Sequence, residues 1–307
     1  MDMKTIILSF MLLIAAVQSL YAQQTVVQTK ELDRFSTVTL DDKFKVRLRN
    51  SSTYSVRVIA DERIAGFIVP VVKNGSLIVL LDKKKYSPEL KKELKEKGAQ
   101  EPVLEVEIFT PELKSLTLKG KATLLESDEI LVDRFRLDVS GNAKVERLHV
   151  KCNSAELKFG NGSFSNINIA PASKVSVLVE NSANVNICQN GGNGMYEVKG
   201  SAVVNVNAEI LEMEVNAAGG SETYLSGIAS VLTVDASGTA KIDAEALEVK
   251  EGKFLQCGSS KCHVNVEQHM TVNLTGGTVL TFKRKPNIEV ERIINSTLIK
   301  ADDPKRK

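Results

Sequence analysis

Four groupings in this sequence have the residue types that do chemistry, and none completes a reactive set. Cys257-Gly-Ser-Ser-Lys-Cys262-His263, with His269 nearby, offers the thiolates and imidazoles that hold zinc or act as nucleophiles. Zinc needs four converging ligands, and strand alternation would turn Cys262 inward and His263 outward, so no metal site is expected. For Cys257 and Cys262 a disulfide across the intervening corner is one reading, and two buried free thiols is the other. Gln189-Asn-Gly-Gly-Asn-Gly194 and Gly120-Lys-Ala-Thr123 are rich in small residues. Neither has the glycine spacing, Lys-Ser/Thr pair and following helix that cradle phosphates, so no cofactor is implied. Glycosidase carboxylates stand about 5 to 9.5 Å apart. Glu146 and Asp243 occupy equivalent places in two repeats, but those repeats are too far apart to meet that requirement. With only three His, no Ser-His-Asp arrangement follows from spacing. No catalytic residue is assigned, and a non-enzymatic protein is expected.

What remains is a set of amides. Asn166, Asn186 and Asn205 recur at one repeat position, with Asn168 and Asn207 two residues further along. All five should point outward, between inward Ile167, Ile169, Val185, Ile187, Val204 and Val206. Stacked amides can hydrogen-bond from strand to strand and stabilise a flat sheet. The same amides also make a polar platform on which a partner or a second copy of the chain could dock.

The elements that must carry these residues follow from a period. Leu137-Asp-Val-Ser-Gly141-Asn-Ala-Lys-Val145 returns as Val177-Leu-Val-Glu-Asn181-Ser-Ala-Asn-Val185 and as Val234-Asp-Ala-Ser-Gly238-Thr-Ala-Lys-Ile242. The central Gly or Asn recurs at Gly120, Gly141, Asn161, Asn181, Gly200, Gly220, Gly238, Gly258, Gly276 and Asn295. Two positions later stand Ala122, Ala143, Ser163, Ala183, Ala202, Glu222, Ala240, Ser260, Thr278 and Thr297, all small except Glu222. Alternation on either side of the anchor predicts two short strands, each with one buried face. Gly or Asn tolerates the left-handed backbone of a tight corner, and a small residue fits just inside it. One such coil cannot bury its apolar face, but stacked coils share a core. The fold class is therefore all-β, a parallel β-solenoid of about ten coils over residues 111–307.

Residues 23–110 do not keep this period and read as a β-rich N-terminal cap that covers the first coil's edge. Asn74-Gly75 predicts a hairpin. Ser87 to Lys97 predicts the one helix, with Ser87 as N-cap, Pro88 at the first position and Gly98 as the stop. Residues 1–22 have the order of a secretory signal peptide, with Lys4, an apolar run from Ile6 to Leu20, and Tyr21-Ala22. No later stretch is apolar enough to span a membrane. With 40 basic and 38 acidic residues, the total charge carries no nucleic-acid footprint.

These residues together resemble the head-GIN-domain family of putative auto-transporter-like adhesins, a domain of unknown function in exported bacterial proteins. The likeness runs through Phe35-Ser-Thr-Val, Tyr54-Ser-Val-Arg-Val-Ile-Ala-Asp and Asn74-Gly-Ser-Leu. It continues through Thr110-Pro-Glu-Leu-Lys-Ser-Leu-Thr-Leu-Lys-Gly120, Val139-Ser-Gly-Asn-Ala143 and Asp235-Ala-Ser-Gly238. The family closes with an aromatic-x-Gly-x-Pro corner. Here Phe282-Lys-Arg284-Lys-Pro286 has Arg in the Gly position, and Asn295-Ser296 replaces the final Ser-Gly. The resemblance implies a right-handed, single-stranded β-helix in a periplasmic or surface protein, and carries no catalytic or ligand residues with it. The expected function is an exported interaction module of the cell envelope, binding a protein, a glycan or its own copies through a solenoid face. A carbohydrate-binding or carbohydrate-acting β-helix and a purely structural or regulatory envelope protein are the alternatives.

Overall fold

The alternating repeats build parallel strands that stack coil on coil in a computed structural model describing residues 24–97 and 100–301. The expected signal peptide and the Gly98 stop lie outside the described residues. Strand Lys144–Phe159 pairs in parallel with Phe164–Val179, Val203–Ala217 with Glu222–Ala236, and Glu222–Ala236 in turn with Lys241–Gln256. The two short strands expected on either side of each corner are differently grouped. The strand that leaves one corner runs on, around a mid-coil bend, into the strand that enters the next, giving single strands of 15 or 16 residues. Pairing skips a residue at the bends, as between Ile210 and Glu212 and between Ala229 and Val231, and resumes beyond them. Among the described residues three coils do break at the bend: between Thr123–Ser127 and Ile130–Val139, between Val279–Lys283 and Asn287–Ile294, and between Asn184–Asn190 and Asn193–Val198, the last at Gly191 and Gly192 with φ of 97° and 64°. The Gly-rich stretch from Gln189 to Gly194 is therefore a mid-coil bend, whereas Gly120 is a corner.

The corners themselves are left-handed at Gly120, Gly141, Asn161, Asn181, Gly200, Gly238, Gly258, Gly276 and Asn295. The remaining corner turns at Gly219, with φ of 75°, and not at Gly220. This one-residue shift removes the exception in the small column, because the residue two places on becomes Ser221, wholly buried, and Glu222 turns outward. Ala122, Ala143, Ala183, Ala202 and Ala240 are likewise 0% exposed. The stack explains why these side chains must be small: each corner presses directly on the one before, with Ser201 N donating to Asn181 O and Gly220 N to Gly200 O. Arg284, standing where the family has Gly, does adopt a left-handed φ of 67°. Its guanidinium reaches Glu248 at 3.1 Å and Glu267 at 3.7 Å, which offsets part of the backbone cost.

The ladder extends one coil further toward the N-terminus than the period suggests. Thr37–Leu40 and Lys45–Asn50 flank Asp42, whose φ is 73°, and stack in parallel on Ser115–Leu118 and Thr123–Ser127. Beyond them the sheet turns antiparallel: Leu104–Thr110 pairs with Ser55–Asp61, and that strand with Thr25–Glu31. On the other stretch the hairpin of Ile68–Lys73 and Ser76–Leu81 turns at Asn74 and Gly75, both with positive φ. A single apolar cluster from Phe35 to Phe282 runs through both parts. The helix is shorter than expected, Pro88–Glu93, with the Ser87 hydroxyl accepting from Leu90 N at 3.1 Å. Its C-cap is Leu94, which packs part-buried against the core, with Lys91 and Lys92 in the last turn. Among the described residues, no helix is long and apolar enough to cross a membrane.

Candidate functional site

The stretch that leaves each corner carries the asparagines, and exact register sets them one above another. Asn166 lies opposite Asn186, and Asn186 opposite Asn205, while Ile167, Ile187 and Val206 beside them are at most 3% exposed. Strand alternation therefore forces the amides outward. Asn186 Nδ2 donates to Asn166 Oδ1 at 2.8 Å, and Asn205 Nδ2 donates to Asn186 Oδ1 at 2.9 Å. Below, Asn166 Nδ2 donates to the Glu146 carbonyl at 3.3 Å. Asn168 and Asn207 are exposed and belong to a second, parallel column. Cys188 stands between them, and Asn207 Nδ2 donates to the Ser226 hydroxyl at 3.0 Å.

These two columns form the floor of a groove of about 710 Å³. Bulges bracket it. Glu146 and Arg147 together face one residue of the next coil, and a second shift in pairing follows Tyr224. Such bulges bend and twist a strand locally, so the flat run of amides lies between two irregular ends. The ends are also where the charged side chains sit, with Glu146 and Arg147 at one, beside His149, and Asp243 and Glu245 at the other. Lys283 at 2.6 Å, aided by His263 at 3.3 Å, holds the Glu245 carboxyl below its ordinary range. Tyr224, 42% exposed, stands directly above Asn205 with its hydroxyl on Glu222 at 2.9 Å.

Sequence reasoning missed His149, Cys188, Tyr224 and Ser226 as members of this face. The anchor count held the signal for Tyr224, since five places after Gly219 is Tyr224; counting from Gly220 hides it. His149 could not be placed by counting, because the bulge before Leu148 adds a residue to its coil.

The other candidates do not assemble. Cys152, Cys188, Cys257 and Cys262 are all free thiols. The disulfide considered for Cys257 and Cys262 is not formed. Cys262 turns wholly into the core, where burial raises its thiol pKa, while Cys257, expected to be buried as a free thiol, is exposed beside the corner. Cys152 lies opposite Pro171 and Cys188 opposite Asn168, so those two do not meet either. Among the described residues no group of three or more His, Cys, Asp or Glu is arranged to hold a metal ion.

No curated protein sequence matches this chain. Several solved structures resemble it at 13% identity, each covering 98% of its own chain. One is a putative adhesin from Parabacteroides merdae ATCC 43184, with a TM-score of 0.46 over 92% of this chain. A second is a putative adhesin from Parabacteroides distasonis ATCC 8503, with a TM-score of 0.47 over 91%. A third, from the same strain, is described as a putative lipid binding protein, with a TM-score of 0.38 over 92%. At these scores they add nothing to the functional argument. The family model described as "Putative auto-transporter adhesin, head GIN domain" matches residues 34–188 and again residues 169–286. Those matches take in the first coil, the amide ladder and nearly every corner of the solenoid, and the chain belongs to that family.

Proposed function

We propose that this protein is a non-enzymatic, exported interaction module of the cell envelope that binds through the amide-floored groove. The observation that carries the reading is the coincidence of the groove with the ladder. Inward positions beneath the asparagines are fully packed, so the concavity is an outward surface and not a packing defect. Each ladder amide spends one N–H on its neighbour and has a second donor to offer. Of the carboxylates, Glu146 stands at one end of the groove and Asp243 and Glu245 at the other, where Lys283 and His263 engage Glu245 and Asp243 accepts from Glu245 N. Family membership and the apolar leader support export. The partner is a protein or a glycan, and Tyr224 favours a glycan because its exposed ring gives a sugar face something to stack on.

The test compares Asn186→Arg with the unaltered chain for binding to isolated bacterial envelopes. A bulky cation in the middle of the groove should abolish binding while leaving the melting temperature within a few degrees. Protease-treated envelopes that still bind would indicate a glycan, and periodate-treated envelopes that still bind would indicate a protein. Full binding by Asn186→Arg would overturn the assignment of this face.

A further inference from the structure

A second cleft, of about 940 Å³, opens where the N-terminal layer meets the first coil corners. It lies far along the chain from the groove and shares no residue with it. Its floor is apolar: Ile64 and Leu104 are 1% and 6% exposed, Tyr86 is buried, and Leu81, Leu94 and Val103 are half-buried. Its rim is cationic, with Lys43, Lys45, Lys83, Lys91, Lys95 and Lys121 against only Asp42 and Glu101. Lys83 pairs with Asp42, and Lys43 with Glu101. Lys45, Lys91, Lys95 and Lys121 form no close ion pair among the described residues, although the charges of Lys121 and Lys45 add to that of Lys43 in holding the Glu101 carboxyl below its ordinary range.

These four ammonium groups come from three separate parts of the chain: the first coil corner, the helix with the turn after it, and the next corner. A lysine-rich helix alone would read as a solvated face. Here the fold gathers like charges around an apolar hollow. That arrangement complements an amphiphile whose anionic head adjoins hydrocarbon. Lysine acts as a point charge on phosphate, and several lysines converging suit a group with more than one charged oxygen. A free phosphate would gain nothing from Ile64, Leu94 and Leu104.

We propose that this cleft binds the phosphate head group of an anionic phospholipid at a membrane surface, with these four lysines on the phosphate and the apolar floor under the adjoining glycerol and acyl carbons. Each lysine near an anionic surface strengthens partitioning by about fivefold, so four together are worth several hundredfold. The attraction is screened at high salt.

The experiment is flotation of the full chain with vesicles of phosphatidylglycerol and phosphatidylcholine, against vesicles of phosphatidylcholine alone. The apolar leader is present in every arm, so the readout is the ratio of binding to the two vesicle types. The unaltered chain should favour anionic vesicles strongly at low salt. Lys45→Gln, Lys91→Gln, Lys95→Gln and Lys121→Gln combined should bring the ratio close to unity. All four are exposed, so the fold should survive. A control with Lys158→Gln, Lys174→Gln, Lys250→Gln and Lys253→Gln removes the same charge from the solenoid and should leave the preference largely intact. An unaltered chain without preference, a cleft variant that keeps it, or a control that loses it equally would overturn the site. Displacement by millimolar glycerol phosphate would show that a free anion suffices, and would overturn the lipid assignment.

Discussion

Gly219 and Gly220 are neighbours, yet alanine at each should move stability in opposite directions. Gly219 has φ of 75°, and a Cβ built on it would lie 3.1 Å from the Gly200 carbonyl oxygen in the corner stacked against it. A left-handed backbone costs a residue with a Cβ about 1–2 kcal/mol. The carbonyl cannot retreat, because it already accepts from Gly220 N at 2.9 Å. Gly219→Ala should therefore destabilise by about 1–3 kcal/mol, lowering the melting temperature by about 3–10 °C in a chain of this size. Gly220 has a φ outside the left-handed region, and its nearest neighbour to a new Cβ is Thr239 Oγ1 at 3.7 Å. Alanine there mainly restricts the unfolded chain, which stabilises by about 0.4–1 kcal/mol where the native backbone is compatible. Thermal unfolding followed by circular dichroism on the two variants, under identical conditions, reads the difference directly. Equal shifts, or a larger loss at Gly220, would refute the corner assignment and with it the placement of Ser221 inside and Tyr224 on the groove.

Asn186 both donates and accepts within the ladder, whereas Asn205 only donates. At about 0.5–1.5 kcal/mol per net hydrogen bond, Asn186→Ala should cost roughly twice what Asn205→Ala does in the same melting assay. Asn166 also has two bonds, one to a backbone carbonyl, and should resemble Asn186; an unchanged melting temperature for Asn186→Ala would show that the ladder does not brace the sheet. Ala202→Leu overfills a fully buried corner and should cost about 1–3 kcal/mol, against almost nothing for Lys144→Leu on the outward side; comparable melting curves would mean the small column is not tightly packed. Burial, helped by the charge of Asp42, pushes the Tyr86 phenol up to about 12. Because the folded-state value is raised, the associated stability is fully present below pH 10 and is lost as pH rises toward about 12. Tyr86→Phe should remove that component of alkaline destabilisation, and an alkaline unfolding profile identical to the unaltered chain's would contradict the buried environment.

The period was legible because a solenoid repeats one local problem: a corner that needs Gly or Asn, a small residue inside it, and apolar residues at every second place on either side. Those demands are short-range, so Leu137 to Val145 or Val234 to Ile242 declares them without any knowledge of its neighbours. The amide ladder was legible for the same reason, since equal coil lengths put Asn166, Asn186 and Asn205 in line. What local pattern could not supply was register. At Gly219-Gly220 two glycines fit the corner equally well in sequence, and only the close approach of the Gly200 carbonyl selects between them. The bulge at Glu146 and Arg147 likewise adds a residue that no alternation announces, and it brings His149 onto the groove. The lysine-rimmed cleft lies furthest beyond sequence. Lys45, Lys91, Lys95 and Lys121 read singly as solvated charges, and they become one feature only because the antiparallel cap folds back over the first coil. The sequence by itself determined the repeating coil and its inward face, because both follow from interactions within about ten residues. Tertiary structure alone decided which outward side chains share a surface, because that depends on how each coil is seated against the next.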